Sequence, residues 1–290
     1  MKNQSPGLHD VTVTPEWLAE RLNSEKVVAV DVSWYQAHES RNPSEEFLAE
    51  HIWGAIHIPL EALSDSSSSL PHTLPDIETL CATLGRYGID NETTVVSYDA
   101  TGFRTSPRLW WLLQWAGHQR VAILDGGLPA WKAAGFALES GVTPRSAVTF
   151  VARSGGHMPT ATADDVVVAL GDLDVQVVDA RPRERFDGTS PEPRPGLRSG
   201  HIPGSASAEL KCFVNPVTNR LLSRDAIGRQ FEELGIDFDR NLVTTCGSGV
   251  AATGLIAILQ TLGVAATLYD GSWCEWGSRP DLPVRQTDPR

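Results

Sequence analysis

The first half of the chain alternates short apolar runs with longer stretches that are apolar on one side. A continuous apolar run, typical of a strand buried on both faces of a parallel sheet, occupies residues 27–32, and further strands are predicted over residues 94–98 and 121–124. Between them, residues 76–87 and 109–115 carry the patterns of helices. A further helix is predicted to begin at Pro15, with Thr14 as its N-cap. Strands that alternate with helices indicate an α/β fold whose parallel sheet is covered by helices on both faces.

The second half of the chain repeats this order at a nearly constant offset of 145–150 residues. The corresponding segments are 27–31 and 175–179, 51–54 and 201–204, 95–99 and 242–246, and 124–127 and 269–272. We therefore predict two copies of one α/β unit. The first domain is expected over residues 10–138 and the second over residues 160–290. The linker is placed at residues 139–159, which are rich in Gly, Ser, Pro and Arg.

Cys246 is the residue most suited to chemistry. It follows a β-prone run and precedes Gly247-Ser248-Gly249 and an apolar helix, so backbone N–H groups and a helix N-terminus should favour its thiolate. A lone cysteine is more often a small buried hydrophobe, but a packing residue needs no flanking glycines. The first copy has Asp99 at the matching position. Since a carboxylate is no sulfur nucleophile, we predict chemistry in the second copy alone, with the first as scaffold and one wall of an interdomain cleft.

Arginines concentrate after the predicted strand at residues 175–179. They are Arg181, Arg183, Arg185, Arg194 and Arg198, with Arg220 further along. In a chain of net charge -12, such a cluster suggests an anionic substrate, because guanidinium groups bind carboxylates in a bidentate manner. The alternative is a solvated loop with ion pairs to Glu184, Asp187 and Glu192.

Composition excludes several classes of function. The net charge of -12 argues against nucleic acid or an anionic membrane as the main partner. No apolar run is long enough to cross a bilayer, and the first 13 residues lack the apolar core of a secretory signal. The four cysteines form no CxxC pair, so we expect no metal site, no disulfide framework and no cofactor, and a cytoplasmic protein.

Several motifs together resemble a tandem rhodanese sulfurtransferase over residues 11–276. They are Cys246-Gly247-Ser248-Gly249-Val250, Asp179-Ala180-Arg181, Pro191-Glu192-Pro193-Arg194, His201-Ile202-Pro203-Gly204 and Tyr269-Asp270-Gly271-Ser272-Trp273. The resemblance implies two rhodanese-like domains, each a mostly parallel sheet with helices on both faces. The cysteine loop is similar to that of the 3-mercaptopyruvate branch. The thiosulfate branch carries a basic Cys-Arg-Lys-Gly-Val loop, which is absent here.

By this resemblance, Cys246 accepts sulfur and becomes a persulfide, while Arg185 and Arg194 bind the carboxylate and keto oxygen of mercaptopyruvate. Ser248, His72 and Glu61 are expected to form a relay that spans both domains, similar to a hydrolase triad. The remaining substrate-binding positions are Gly247, Gly249 and Val250. The family usually has a threonine where this chain has Ala251, so we expect weaker stabilisation of the outer sulfur.

The implied reaction moves sulfur from 3-mercaptopyruvate to cyanide or to a thiol such as thioredoxin, and releases pyruvate. One alternative is thiosulfate:cyanide transfer, in which the arginine pair would matter less. A phosphatase is a poor alternative, because the residue six positions after the cysteine is Ala252 rather than arginine. A non-catalytic binding module is the third, and a persulfide on Cys246 would exclude it.

Overall fold

The structure is a computed structural model that describes residues 11–24, 26–154, 156 and 158–287. The predictions for residues 1–10 and for the last three residues therefore lie outside the described part. The chain divides into two compact units. Unit 1 comprises Met1–Ser66, Leu74–His157 and Asn215–Leu221, and unit 2 comprises Ser67–Thr73, Met158–Val214 and Leu222–Arg290. The predicted domain limits at residues 138 and 160 stay a prediction.

Unit 1 is built on a five-stranded sheet. The strands of unit 1, in this sheet and in a separate two-stranded ribbon, are β1 (Thr12–Val13), β2 (Val27–Asp31), β3 (His51–Ile52), β4 (Ile56–His57), β5 (Thr94–Tyr98), β6 (Val121–Leu124) and β7 (Leu138–Glu139). Its helices are α1 (Pro15–Ala19), α2 (Pro43–Ala49), α3 (Ile77–Arg86), α4 (Ser106–Trp115) and α5 (Gly127–Ala133), with short 3₁₀ turns at Ala37–Glu39 and Leu60–Leu63. The order β1-β6-β5-β2-β4 is parallel throughout, and β3 pairs with β7 in an antiparallel ribbon.

Local signals place the helix ends of unit 1. Thr14 accepts the N–H of Trp17 at 3.2 Å, as expected of the N-cap of α1. Asp76 caps α3 by accepting the N–H of Thr79 at 2.7 Å. Helix α4 begins three residues earlier than the apolar pattern predicted, at Ser106, because its first turn carries a proline that needs no N–H partner there.

Unit 2 repeats the architecture. Its strands are β8 (Thr160–Ala161), β9 (Val175–Asp179), β10 (Ala206–Ser207), β11 (Asn241–Thr245) and β12 (Ala266–Tyr269). Its helices are α6 (Ala163–Ala169), α7 (Arg183–Asp187), α8 (Arg224–Glu233), α9 (Val250–Thr261) and α10 (Ser272–Trp276), with a 3₁₀ turn at Leu210–Phe213. The parallel order β8-β12-β11-β9-β10 is that of unit 1, strand for strand. The predicted parallel α/β fold is confirmed, and the shared strand order fits the predicted repeat.

The sheet of unit 2 brings three chemically important turns to one edge. Strand β11 lies between β9 and β12, with Thr245 opposite Asp179. All three strands run parallel, so the turns that follow Asp179, Thr245 and Tyr269 leave the same edge. Among the described residues, we find no helix with the length and apolarity that a bilayer crossing requires.

Candidate active site

Cys246 lies where the sequence predicts it. Strand β11 ends at Thr245 and helix α9 begins at Val250, so the turn between them is 246–249. Gly249 has φ of +78°, a left-handed conformation that favours glycine. The cysteine is 2% exposed, and all four cysteines are free thiols.

The hydroxyl of Ser272 organises this turn. Its Oγ accepts the N–H groups of Cys246 at 3.2 Å and Gly249 at 3.1 Å, and it donates to the carbonyl of Tyr269 at 2.8 Å. The sequence predicts that several amides of the turn point at the sulfur; the amides of Cys246 and Gly249 bind a serine oxygen instead. Within the described residues, the N–H groups of Gly247 and Ser248 have no acceptor. These two amides can receive a sulfur or oxygen anion.

Sequence reasoning missed Ser272, although the repeat contained a signal for it. Ser272 has φ of +50° and is completely buried. Its counterpart in unit 1 is Gly127, with φ of +54°. A non-glycine residue in this region is strained. Unit 2 thus carries a strained serine where the matching turn of unit 1 carries a glycine, which indicates that the serine hydroxyl has a function.

The structure brings His72 and Ser248 together. His72 Nδ1 lies 3.0 Å from Ser248 Oγ, both residues are 8% exposed, and the segment Ser67–Thr73 that carries His72 belongs to unit 2. His72 has φ of +61°, so its backbone is strained in the way that positioned functional residues often are. Glu61 lies in unit 1, where its carboxylate accepts the indole N–H of Trp34 at 3.0 Å. Its place in a relay stays a prediction.

Arg185 approaches the cysteine turn from helix α7. A Cβ atom built on Gly247 would lie 3.3 Å from Arg185 Nη2, which explains a glycine at this position although its φ is not left-handed. The Nε and Nη2 atoms of Arg185 donate to Oε2 of Glu192, the first at 3.1 Å. The guanidinium is thus held on one edge, and Nη1 makes no hydrogen bond to any residue that the structure describes.

Glu192 joins Arg185 to a buried arginine. Its carboxylate is 1% exposed, and Oε1 accepts Nη1 of Arg181 at 2.7 Å. Arg181 also donates to both oxygens of Asp179 and lies over the ring of Trp273, 4.1 Å from the centroid. The buried Arg181 and the half-buried Arg185 therefore alternate with two buried carboxylates, which balances charge that would be costly to bury alone. The sequence offered Glu192 as a surface partner only under the alternative of a solvated loop, and this buried bridge was not predicted.

The arginine cluster separates into groups with different surroundings. Arg198 donates to main-chain carbonyls of Gly277, Leu282 and Trp276, so it supports the fold. Arg183 is exposed and pairs with Asp187, and Arg220 belongs to unit 1. Burial raises the pKa of the Cys274 thiol, and the charge of Arg194, which is half-buried in unit 2, opposes this rise. Arg194 therefore lies within electrostatic range of Cys274 in helix α10.

Comparison with known proteins agrees with this geometry. The sequence profile of the rhodanese-like domain matches residues 14–134 and 162–279. The 3-mercaptopyruvate sulfurtransferase of Escherichia coli K12 is 37% identical, with 94% of this chain and 96% of that protein covered. The thiosulfate/3-mercaptopyruvate sulfurtransferase 1 of Arabidopsis thaliana, a mitochondrial protein, is 37% identical, with 95% of this chain and 78% of that protein covered.

Solved structures give the same result. The crystal structure of SseA from Escherichia coli, described as a 3-mercaptopyruvate sulfotransferase with the rhodanese fold, superposes with a TM-score of 0.82 at 33% identity, covering 91% of this chain and 99% of that one. The Tum1 protein of Saccharomyces cerevisiae superposes with a TM-score of 0.88 at 26% identity, covering 96% and 99%. Fold and cysteine turn thus define an α/β sulfurtransferase with two rhodanese-like domains. The chain belongs to the rhodanese family, and the predicted family and fold class are confirmed.

Proposed function

We propose that the protein moves sulfur from 3-mercaptopyruvate, through a persulfide on Cys246, to a thiol or cyanide acceptor. Its family makes the chain a sulfurtransferase, and relatives named for mercaptopyruvate cover 94–95% of it. The observation that carries the proposal is the turn 246–249, with Arg185 against Gly247 and His72 on Ser248. An anion-binding arginine and a proton-carrying pair thus adjoin one sulfur.

In the proposed first half-reaction, the Cys246 thiolate attacks the thiol sulfur of mercaptopyruvate. A sulfur–sulfur bond forms, the carbon–sulfur bond breaks, and the electron pair passes to the pyruvyl carbon as an enolate. Arg185 and Arg194 bind the carboxylate and keto oxygen and stabilise this negative charge. The Ser248–His72 pair, with Glu61 as its acidic third member, delivers the proton that converts the enolate to pyruvate.

In the proposed second half-reaction, an acceptor attacks the outer sulfur and restores the Cys246 thiolate. The amides of Gly247 and Ser248 stabilise the persulfide, since no hydroxyl is present at Ala251 to do so. A dithiol protein of the thioredoxin type fits as acceptor, because its second thiol completes the reduction. Free thiols at all four cysteines are compatible with a reducing cytoplasm.

The proposal is tested by pyruvate release and intact mass after incubation with mercaptopyruvate and no acceptor. We expect the wild-type protein to release pyruvate, and we expect this release to require the thiol of Cys246. The Cys246→Ser variant should give neither pyruvate nor a sulfur adduct. Turnover by this variant would refute covalent transfer at Cys246.

The donor is tested by comparing kcat/KM for mercaptopyruvate and thiosulfate. Arg185→Ala should lower kcat/KM for mercaptopyruvate roughly 30-fold, because a largely buried charge contact to the carboxylate is lost. This factor corresponds to a rise of about 2 kcal/mol in the activation free energy. Thiosulfate, which has no carboxylate, should be affected less. Arg183→Ala, on the same helix but exposed and paired with Asp187, is the matched control. A greater loss with thiosulfate would favour the thiosulfate donor.

A further inference from the structure

A second thiol lies against the cysteine turn. Cys274, in helix α10, is 4% exposed and donates its N–H to the carbonyl of Gly247 at 2.9 Å. The preceding residue, Trp273, donates its N–H to the carbonyl of Cys246 at 2.9 Å. Two consecutive main-chain bonds thus join the first turn of α10 to the two residues that begin the cysteine turn, all within unit 2.

The helix geometry turns Cys274 away from the apolar core of unit 2. Trp273 and Trp276 both pack into that core. Because successive residues in a helix differ by about 100°, Cys274 projects from another side than these two rings. Burial raises the pKa of the Cys274 thiol, Cys246 and Glu192 add to the rise, and Arg194 and Arg185 oppose it. Cys274 therefore lies within electrostatic range of Cys246 and of charged groups of the candidate site.

Burial favours the neutral form of the Cys274 thiol. A neutral thiol is a weaker nucleophile than a thiolate, so Cys274 competes poorly for the sulfur donor. The inner sulfur of a persulfide on Cys246 is an electrophile, as in any disulfide, and a thiol on the adjoining helix can attack it as the thiol gives up its proton.

We propose that Cys274 is a resolving thiol that converts the Cys246 persulfide into a disulfide and releases sulfide. The Cys274 sulfur attacks the inner sulfur of Cys246, and a Cys246–Cys274 bond forms as the persulfide bond breaks. The outer sulfur leaves as hydrosulfide and takes the proton of the Cys274 thiol as hydrogen sulfide, so no oxidant is needed. A dithiol reductant then restores both thiols and becomes a disulfide itself. This inference rests on the proposed function and adds a second route for the sulfur.

The test uses the full chain, reduced and freed of reductant, with one equivalent of mercaptopyruvate and no acceptor. Pyruvate, sulfide and intact mass are measured, followed by peptide mapping without reduction. The wild-type protein should release pyruvate and an equal amount of sulfide, and should lose two hydrogen atoms in mass as the Cys246 and Cys274 peptides become linked. Cys274→Ser should release pyruvate but no sulfide, and should gain one sulfur atom. Cys212→Ser, which removes a half-buried thiol of the same unit, should behave as wild type.

Each outcome decides the matter. A wild-type protein that releases pyruvate but keeps its persulfide, as Cys274→Ser does, overturns the resolving role and leaves the proposed function intact. A wild-type protein that releases no pyruvate overturns both. If neither Cys274→Ser nor Cys274→Ala releases pyruvate because the fold is damaged, the wild-type peptide map decides alone: a linked pair supports the inference and unlinked peptides refute it.

Discussion

The turn of unit 1 that corresponds to the cysteine turn contains a buried carboxylate, and removing its charge should destabilise that unit. Asp99 is 1% exposed and accepts six hydrogen bonds at 2.7–2.9 Å. The donors are the N–H and hydroxyl of Thr101 and the N–H groups of Gly102, Arg104, Thr105 and Ser106. Asp99→Asn keeps the shape of the side chain but places an NH₂ group against N–H donors.

The structure allows the cost of Asp99→Asn to be worked out. Oδ2 accepts three N–H groups, so an amide nitrogen at that position leaves three buried donors without a partner. In the opposite orientation of the amide, the nitrogen instead faces the three donors that bind Oδ1 in the wild-type protein. Each such donor costs about 1–3 kcal/mol, and removal of one partner from a buried charged network costs about 3–5 kcal/mol in all. We expect a loss of about 3–5 kcal/mol in the free energy of unfolding of unit 1.

Urea unfolding followed by hydrogen exchange in peptides from β5 and α4 measures this loss in unit 1. With a slope of about 2 kcal/mol/M, the midpoint should fall by roughly 2 M. Asp125→Asn is the matched control, because Asp125 accepts one N–H, from Leu221 at 2.8 Å, and burial raises its pKa. It should cost about 1 kcal/mol or less. Equal midpoints for the two variants would refute the reasoning.

The same network predicts a pH dependence. Burial alone would raise the pKa of Asp99, but the bonds from Ser106, Thr105 and Thr101 bring it below its ordinary value. A lowered folded-state pKa stabilises the fold above the unfolded value of about 3.9, and this stabilisation is lost as the pH falls through the folded value. The difference between wild type and Asp99→Asn should therefore be full at neutral pH and narrow below about pH 4. A constant difference would contradict ionisation of Asp99 in the folded protein.

Three kinetic predictions concern the candidate site. His72→Ala and Ser248→Ala should each lower kcat roughly 100-fold. The double variant should be no slower than the slower single variant, because the two groups act as a unit. Losses in kcat that multiply in the double variant would contradict a shared role. Glu192→Gln should raise the KM for mercaptopyruvate roughly tenfold with a smaller effect on kcat, because Arg185 loses its charged partner. An unchanged KM would show that Arg185 is positioned without the charge of Glu192. Gly247→Ala should lower kcat/KM several-fold with little change in Tm, since the new methyl group would lie in close contact with Arg185. Unchanged kinetics in this variant would contradict that contact.

The architecture of both units could be predicted because the repeat preserved the periodic signals. Strands β5, β6 and β9 have the predicted residues or nearly so, and turn glycines mark the ends of several elements. Cys246 was identifiable for the same reason, since strand, glycine turn and helix are local features of sequence.

The surroundings of the cysteine could be predicted only in part, because they depend on contacts between distant segments. Ser248 and His72 are 176 residues apart, and no periodicity connects them; the family resemblance alone suggested the pair. The bridge from Arg181 through Glu192 to Arg185 lies in an irregular stretch, where a buried acid and an exposed one look alike in sequence. The role of Ser272 was hidden because a hydroxyl bound to two amides leaves no local pattern.

The two copies of the turn show how one backbone geometry gives scaffold in one unit and chemistry in the other. In unit 1, Asp99 accepts five main-chain N–H groups of the residues that follow it. Gly127 packs its backbone against the Asp99 carbonyl, where a Cβ would lie at 2.4 Å. In unit 2, the side chain of Cys246 is no such acceptor. Ser272 binds two amides of the turn, and the N–H groups of Gly247 and Ser248 have no acceptor in the part of the chain that the structure describes. A carboxylate that occupies its own anion site stabilises the fold and excludes a ligand. An amide turn that lacks this acceptor gives up part of that stability, and the same unmet hydrogen-bonding capacity can bind a persulfide.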